Sequence, residues 1–235
     1  ESALDENLYK ELEENWPEEH EMRSLSDSGW VSKGTYKERW YIDCFDSEML
    51  TKLSEKKYSV WKNFRDSFCS SYVWSELAKL CTSYFEENPF LSAELSKPIH
   101  RRKIYRLKPW MLIMTDYNGY ILPPHTQHPQ EMLVMLIYFS EDRNTEDAGT
   151  SIFVPIDRDF ECDGGPHYQF EDFNNIYTAP YRRNSLFGFI KTKNSFHGSN
   201  LVQQPVVRKS LYVTVAITDE IPQRDGEDLG IEIEY

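Results

Sequence analysis

No stretch of the sequence approaches the run of about 18 uninterrupted apolar residues that a membrane-crossing helix requires, so no transmembrane segment is expected. The first residues are Glu-rich and lack both a basic start and an apolar stretch, so a secretion leader is not expected here either. Cysteine is scarce: Cys44, Cys69, Cys81 and Cys162 are scattered without CxxC spacing. That reads as free thiols in a reducing compartment, and the expected location is cytoplasmic. Positive charge is also short. Lys and Arg number 26 against 39 Asp and Glu, for a net charge of −13 and a pI near 4.9. Phosphate backbones and anionic bilayers repel such a surface, so nucleic-acid and membrane partners are disfavoured. There is no internal repeat, and Asp163-Gly164-Gly165 is too short for a phosphate-cradling loop.

Aromatic residues are abundant, with 15 Tyr, 13 Phe and 6 Trp. Disordered chains are poor in these residues, and 235 residues suffice for a sizeable core. The acidity is uneven. Residues 1–21 carry nine acids and one Lys, residues 219–235 carry seven acids and one Arg, and residues 22–218 sum to only +1. The near-neutral body is therefore no barrier to an anionic ligand.

Apolar side chains recur at helical spacing through Leu4, Leu8, Tyr9, Leu12 and Trp16, and Pro17 ends the pattern. Residues 20–45 read as loop with short strands. Residues 47–87 read as two helices broken around Cys69-Ser70-Ser71. From residue 99 the pattern changes to short apolar runs at 104–107, 110–114, 132–139, 151–154, 185–190 and 211–217, separated by turn-rich segments. Many short strands of this kind predict a β sandwich or barrel. The expected organisation is one domain: a mainly helical layer over 1–98, a β-barrel core over 99–218 and an acidic segment over 219–235. In that last segment, Ile231 and Ile233 alternate as in a strand. Residues 157–183 are long for a barrel connection, a length typical of lids and substrate loops. Arg101-Arg102-Lys103, Arg106 and Lys108 form a local basic cluster, more in keeping with solvated strand edges than with an anion site. Trp61, Trp74 and Trp110 read as core.

Three of the six histidines, His125, His128 and His197, sit in informative places. His125 precedes the apolar run at 132–139, two positions before Gln127; His197 follows the run at 185–190; and Arg208 comes 11 residues later, ahead of Leu211-Tyr212-Val213. Strand residues i and i+2 share a face, so His125 and residue 127 can address one metal, and a barrel can bring His197 beside them. Two histidines and a carboxylate with open positions are the arrangement of non-haem Fe(II) oxygenases. An arginine offers a planar fork for a carboxylate cosubstrate, and Ser210, two residues along, can add a hydroxyl.

With Tyr117-Asn-Gly-Tyr120-Ile-Leu-Pro-Pro-His125-Thr126-Gln127, Leu136-Ile-Tyr-Phe139, Ala148-Gly-Thr-Ser-Ile-Phe153, Asn194-Ser-Phe-His197-Gly198 and Arg208-Lys-Ser210-Leu211, the sequence resembles the 2-oxoglutarate/Fe(II)-dependent dioxygenase superfamily, especially its prolyl-hydroxylase-like branch. The resemblance covers roughly residues 104–218. It implies a double-stranded β-helix (jelly-roll, cupin-like) barrel with supporting N-terminal helices. It also implies Fe(II) on His125 and His197, 2-oxoglutarate held by Arg208, Ser210 and Tyr117, molecular oxygen, and a small-molecule or peptidyl substrate that is hydroxylated. Gln127 stands where the family has Asp or Glu. Its amide oxygen can ligate metal more weakly, or another side chain can serve, although the adjacent His128 points to the opposite strand face. A halogenase-type variant lacking the carboxylate ligand is a further alternative, although Gln would fill the space the halide needs. The last is a catalytically degenerate binding protein on the same fold.

Overall fold

The computed structural model describes residues 2–31, 36–80, 104–141, 146–202, 206–217, 223–224, 227–228 and 231–234. Among them are four α-helices: α1 (Glu6–Glu14), α2 (Ser47–Leu50), α3 (Glu55–Phe68) and α4 (Ser71–Leu80). The strands are β1 (Arg23–Ser24), β2 (Arg39–Asp43), β3 (Ile104–Asp116), β4 (Leu122–His125), β5 (Glu131–Tyr138), β6 (Thr150–Pro155), β7 (Phe173–Thr178), β8 (Ser185–Ile190), β9 (His197–Ser199), β10 (Arg208–Ile217), β11 (Gln223–Arg224), β12 (Glu227–Asp228) and β13 (Ile231–Glu234).

Asp5 starts α1 by accepting the amides of Asn7 and Leu8 on its carboxylate, and Ser54 does the same for α3 through the Lys57 amide. The break between α3 and α4 falls at Cys69-Ser70, where the apolar spacing lapses. Tyr9 and Leu12 of α1 and Trp61 and Phe64 of α3 are buried. Tyr9 stacks on Phe139 with ring centroids 4.7 Å apart, and the Trp16 indole N–H donates to Thr115 Oγ1 at 3.0 Å. The helices thus cover one face of a sheet.

That sheet has seven strands in the order β1-β2-β3-β10-β5-β8, with β13 also on β3. The partners β2 and β13 share one edge of β3, taking Leu112–Asp116 and Ile104–Leu107 respectively. The smaller sheet runs β4-β9-β6-β7, and every pairing is antiparallel. Two antiparallel sheets with a sheathed outer face and a cavity between them make a double-stranded β-helix, or jelly roll. Strand alternation sorts the side chains. Leu211, Val213 and Val215 of β10 join the main core with the helices, whereas Arg208 and Tyr212 line the cavity.

A second cluster, Phe153, Cys162, Phe173 and Phe196, is covered by Phe160, Tyr168 and Phe170. It pins residues 156–172 against the smaller sheet. Short strands joining the larger sheet also occur within 1–98 and 219–235, namely β1, β2 and β13. No helix among the described residues is long and apolar enough to cross a membrane. Cys44, Cys69 and Cys162 are free thiols, and Cys81 lies outside the described residues.

Candidate active site

The cavity between the sheets measures ≈ 210 Å³, and His125, Gln127, Thr150, His197 and Arg208 are part of its lining. His125 ends β4 and His197 begins β9, and the two are direct cross-strand partners. A Cβ on Gly198 would lie 2.3 Å from the Leu122 carbonyl oxygen, so glycine is what lets β9 close on β4. The imidazole centroids are 4.3 Å apart. Each ring is oriented the same way: His125 Nδ1 lies 3.0 Å from the Pro123 carbonyl oxygen and His197 Nδ1 lies 3.0 Å from that of Ser195. With Nδ1–H donating to the backbone, both Nε2 lone pairs face outward, the tautomer a metal ligand needs. Burial, with the charges of His197 and His167 adding to it, holds His125 well below the usual histidine range. Burial takes His197 to about 4, so both rings are neutral near pH 7.

Gln127 reaches the same place. Its Nε2 is 3.2 Å from His197 Nε2, where the amide donates to the ring. His128 is exposed, and its Nδ1 accepts the Gln130 amide, which puts it outside the cavity as strand alternation predicts. A third imidazole does stand close by, however: His167 lies 4.5 Å from His125 between centroids, and its Nδ1 is hydrogen-bonded to the Tyr36 hydroxyl. Its loop is tied down at three points. The Tyr168 amide donates to Pro124 O at 2.9 Å, and Thr126 Oγ1 donates to Cys162 O at 3.1 Å. Gly164, at φ +129, passes so close that a Cβ would lie 2.1 Å from Gln127 O. No group of three or more His, Cys, Asp or Glu side chains among the described residues is arranged to hold a metal. The groups that meet in the cavity are the two imidazoles and the Gln127 amide, with its nitrogen toward His197.

Arg208, 2% exposed, points into the cavity from the start of β10. Its Nε donates to Ala148 O (2.8 Å), one terminal nitrogen to Asp116 (2.6 Å) and the other to Thr150 Oγ1 (3.3 Å). Asp116, opposite Arg208 in the β3–β10 ladder, is fully buried and also takes a bidentate pair of bonds from Arg39 at 2.6 and 2.8 Å. Burial alone would raise this carboxyl, but the two guanidiniums pull it below the usual carboxylate range. One buried and one half-buried guanidinium on a single carboxylate leave a surplus of positive charge.

The Ser210 and Tyr120 hydroxyls are buried with no hydrogen-bond partner among the described residues. Ser210 shares the inner face of β10 with Arg208, and Tyr120 lies under the Arg39 guanidinium, 4.1 Å from ring centroid to Cζ. A surplus guanidinium charge with idle hydroxyl donors is the chemistry of a carboxylate site. Tyr117, like Tyr120 and Ser210, is not in the cavity lining. Its hydroxyl faces Glu19, and burial, with that carboxylate adding to it, pushes it up to about 12. Tyr120, three residues on, is the tyrosine next to the arginines.

Trp61 and Trp74 are buried core residues, but Trp110 lines the cavity because β3 alternation turns it inward. Of the basic cluster, Arg101–Lys103 lie outside the described residues. Sequence reasoning missed Arg39, Asp116 and Glu131 altogether, and Thr150 stood only inside a motif with no role assigned. Asp116 closing an apolar strand run was the one available signal, since an acid there must be paired or exposed.

No family model matches the sequence, and no curated protein matches it. Solved structures resemble it at low identity. One is the epimerase SnoN in complex with Fe3+, alpha-ketoglutarate and nogalamycin RO (14% identity, 100% of this chain and 88% of that one, TM-score 0.49). Another is the dioxygenase for auxin oxidation 1 from Arabidopsis thaliana with 2-oxoglutarate (13%, 94% and 82%, TM-score 0.49). A third is an RmlC-like cupin protein from Desulfovibrio desulfuricans (16%, 48% and 81%, TM-score 0.25). At these scores the likeness carries no argument about chemistry, which rests on the side chains.

Proposed function

We propose that the protein is a non-haem Fe(II)- and 2-oxoglutarate-dependent oxygenase that hydroxylates a small-molecule or peptidyl substrate. The observation that carries this reading is the pairing, in one cavity, of two backbone-oriented neutral histidines with a buried arginine cluster of surplus positive charge. His125 and His197 would hold the metal through Nε2, and the Gln127 amide would turn its oxygen to the third position. Arg208, with Ser210 and Tyr120 as hydroxyl donors, would hold the far carboxylate of 2-oxoglutarate. Bound iron would supply the oxygen activation and the redox chemistry.

The chain itself does three things. The carbonyls of Pro123 and Ser195 fix the imidazole tautomers. Asp116 locks the Arg208 fork in one orientation while leaving its charge incompletely neutralised. The walls of Leu112, Val134 and Leu136 keep the cavity apolar, which strengthens each charge interaction inside it.

Anaerobic calorimetry with Fe(II) and then 2-oxoglutarate tests this reading, alongside substrate-free turnover of 2-oxoglutarate to succinate. Binding of both, with the 2-oxoglutarate signal lost in Arg208→Met, supports it. Absence of binding and turnover sinks it. The amide of Gln127 donating to His197 Nε2 favours a second reading, a metal-free binding protein. The same titration decides between them.

A further inference from the structure

One acid in the cavity takes no part in the chemistry above. Glu131 opens β5 and lines the cavity, and its Oε2 is buried without a hydrogen-bond partner among the described residues. A buried carboxylate left unpaired is costly, so such a group calls for a partner. Lys191 acts on it electrostatically while donating to the Asp163 carbonyl at 2.7 Å, and Oε2 itself is left without a hydrogen bond.

Aromatic residues share the cavity with Glu131. Trp30, Trp110 and Tyr212 line it, and Trp30 meets Trp110 edge-on with centroids 5.1 Å apart. Trp30 is 47% exposed, which places it at the mouth. A cavity that offers both a carboxylate and aromatic rings can bind organic cations, with the rings replacing part of the lost hydration.

The cavity is also polarised. Glu131 pairs with Ala216 near one end of β10, whereas Arg208 opens that strand at the other. Tyr212 stands between them, within electrostatic reach of both Glu131 and Arg39. A cation entering the cavity is repelled from the arginine end and drawn to Glu131.

We infer that Glu131, with Trp30, Trp110 and Tyr212, forms the substrate subsite for an alkylammonium group, so that the substrate is an amine that enters with its uncharged part toward His125 and His197. This inference rests on the cavity being the substrate site of the proposed oxygenase. It extends that reading by assigning the substrate a charge.

The test uses n-pentylammonium and its neutral isostere 1-pentanol, titrated at pH 8 into the full chain and followed by tryptophan fluorescence and calorimetry. The wild type is expected to bind the ammonium at least tenfold tighter than the alcohol. Glu131→Gln should abolish that preference while keeping alcohol binding. Trp30→Leu, at an exposed position that tolerates change, should weaken ammonium binding severalfold. A wild type without preference for the ammonium, or a Glu131→Gln variant that retains it, overturns the inference. Fe(II) and 2-oxoglutarate titrations on the same samples keep the two readings apart. If the wild type binds neither, the oxygenase reading fails whatever the ammonium result. If it binds both without preferring the ammonium, only the present inference fails.

Discussion

At the scale of single residues, the charge balance around Asp116 makes an unequal prediction for its two partners. Removing Arg208 leaves Asp116 paired with Arg39, a balanced pair. Removing the carboxylate leaves two guanidiniums, one of them fully buried, facing each other. Asp116→Asn should therefore destabilise the protein by about 3–5 kcal/mol, and Arg208→Met by clearly less. Urea denaturation of both variants checks this, and equal losses would refute the unbalanced-charge account. Gln127 allows a second prediction at this scale. If its side chain occupies the third metal position, Gln127→Asp adds a ligand charge and should tighten Fe(II) binding by about tenfold or more, read by anaerobic calorimetry. Unchanged affinity would place residue 127 outside the metal's reach. His125, His197, Gln127 and Arg208 could be singled out in the sequence and do meet in one cavity, because their order and spacing around apolar strands is a local pattern. Tyr120 and His167 were visible as residues but not as members of the site, since the loop and turn that carry them have no periodicity that aims a side chain.

At the scale of elements, two features hold the site in place. Residues 156–172 lean on the segment just after β4 through Gly164, whose φ of +129 and 2.1 Å virtual Cβ contact with Gln127 O leave no room for a side chain. Gly164→Ala should strain the loop by about 1–3 kcal/mol, lowering the melting temperature and speeding proteolytic cleavage within the loop. Unaltered protease resistance would count against this anchor. On the opposite side, α1 is capped by Asp5 and braces Phe139 through Tyr9. Losing that cap in Asp5→Ala should cost about 1 kcal/mol, measurable by denaturant unfolding. The strand runs at 104–114, 132–139, 151–154, 185–190 and 211–217 were readable because burial on one or both faces demands apolar residues. Strands β4, β7 and β9 were not. The first and last are short, and β7 (Phe-Asn-Asn-Ile-Tyr-Thr) leaves Ile176 and Tyr177 more than half exposed, so no apolar run marks it.

At the scale of the whole molecule, the pH dependence of stability reflects an acid in the wrong medium. Burial raises the Glu131 carboxyl from the usual carboxylate value to about 7, while Lys191 opposes the shift only in part. The folded form therefore holds a proton that the unfolded chain has already released. This contribution is fully present below the unfolded value, near 4.5, and is lost as pH rises through 7. Stability should fall by roughly 3 kcal/mol across that window on account of Glu131 alone. Glu131→Gln should remove that slope, so that the variant gains on the wild type as pH rises. Denaturant unfolding from pH 4.5 to 8 measures the difference, and a gap that stays constant with pH would rule the assignment out. Asp116 works in the opposite sense at lower pH, where its lowered value makes the arginine cluster fail as acid protonates it.

The sequence by itself determined the fold class, the helical brace and the order of the histidine, glutamine and arginine positions, because each follows from contacts or periodicities spanning a few residues. Only the tertiary structure decided which charges neutralise one another. Asp116 meets Arg39 and Arg208 across 77 and 92 residues of chain, and Glu131 and Trp30 line one cavity from different elements. Burial and long-range Coulomb interactions depend on distance in space, and spacing along the chain does not encode that distance.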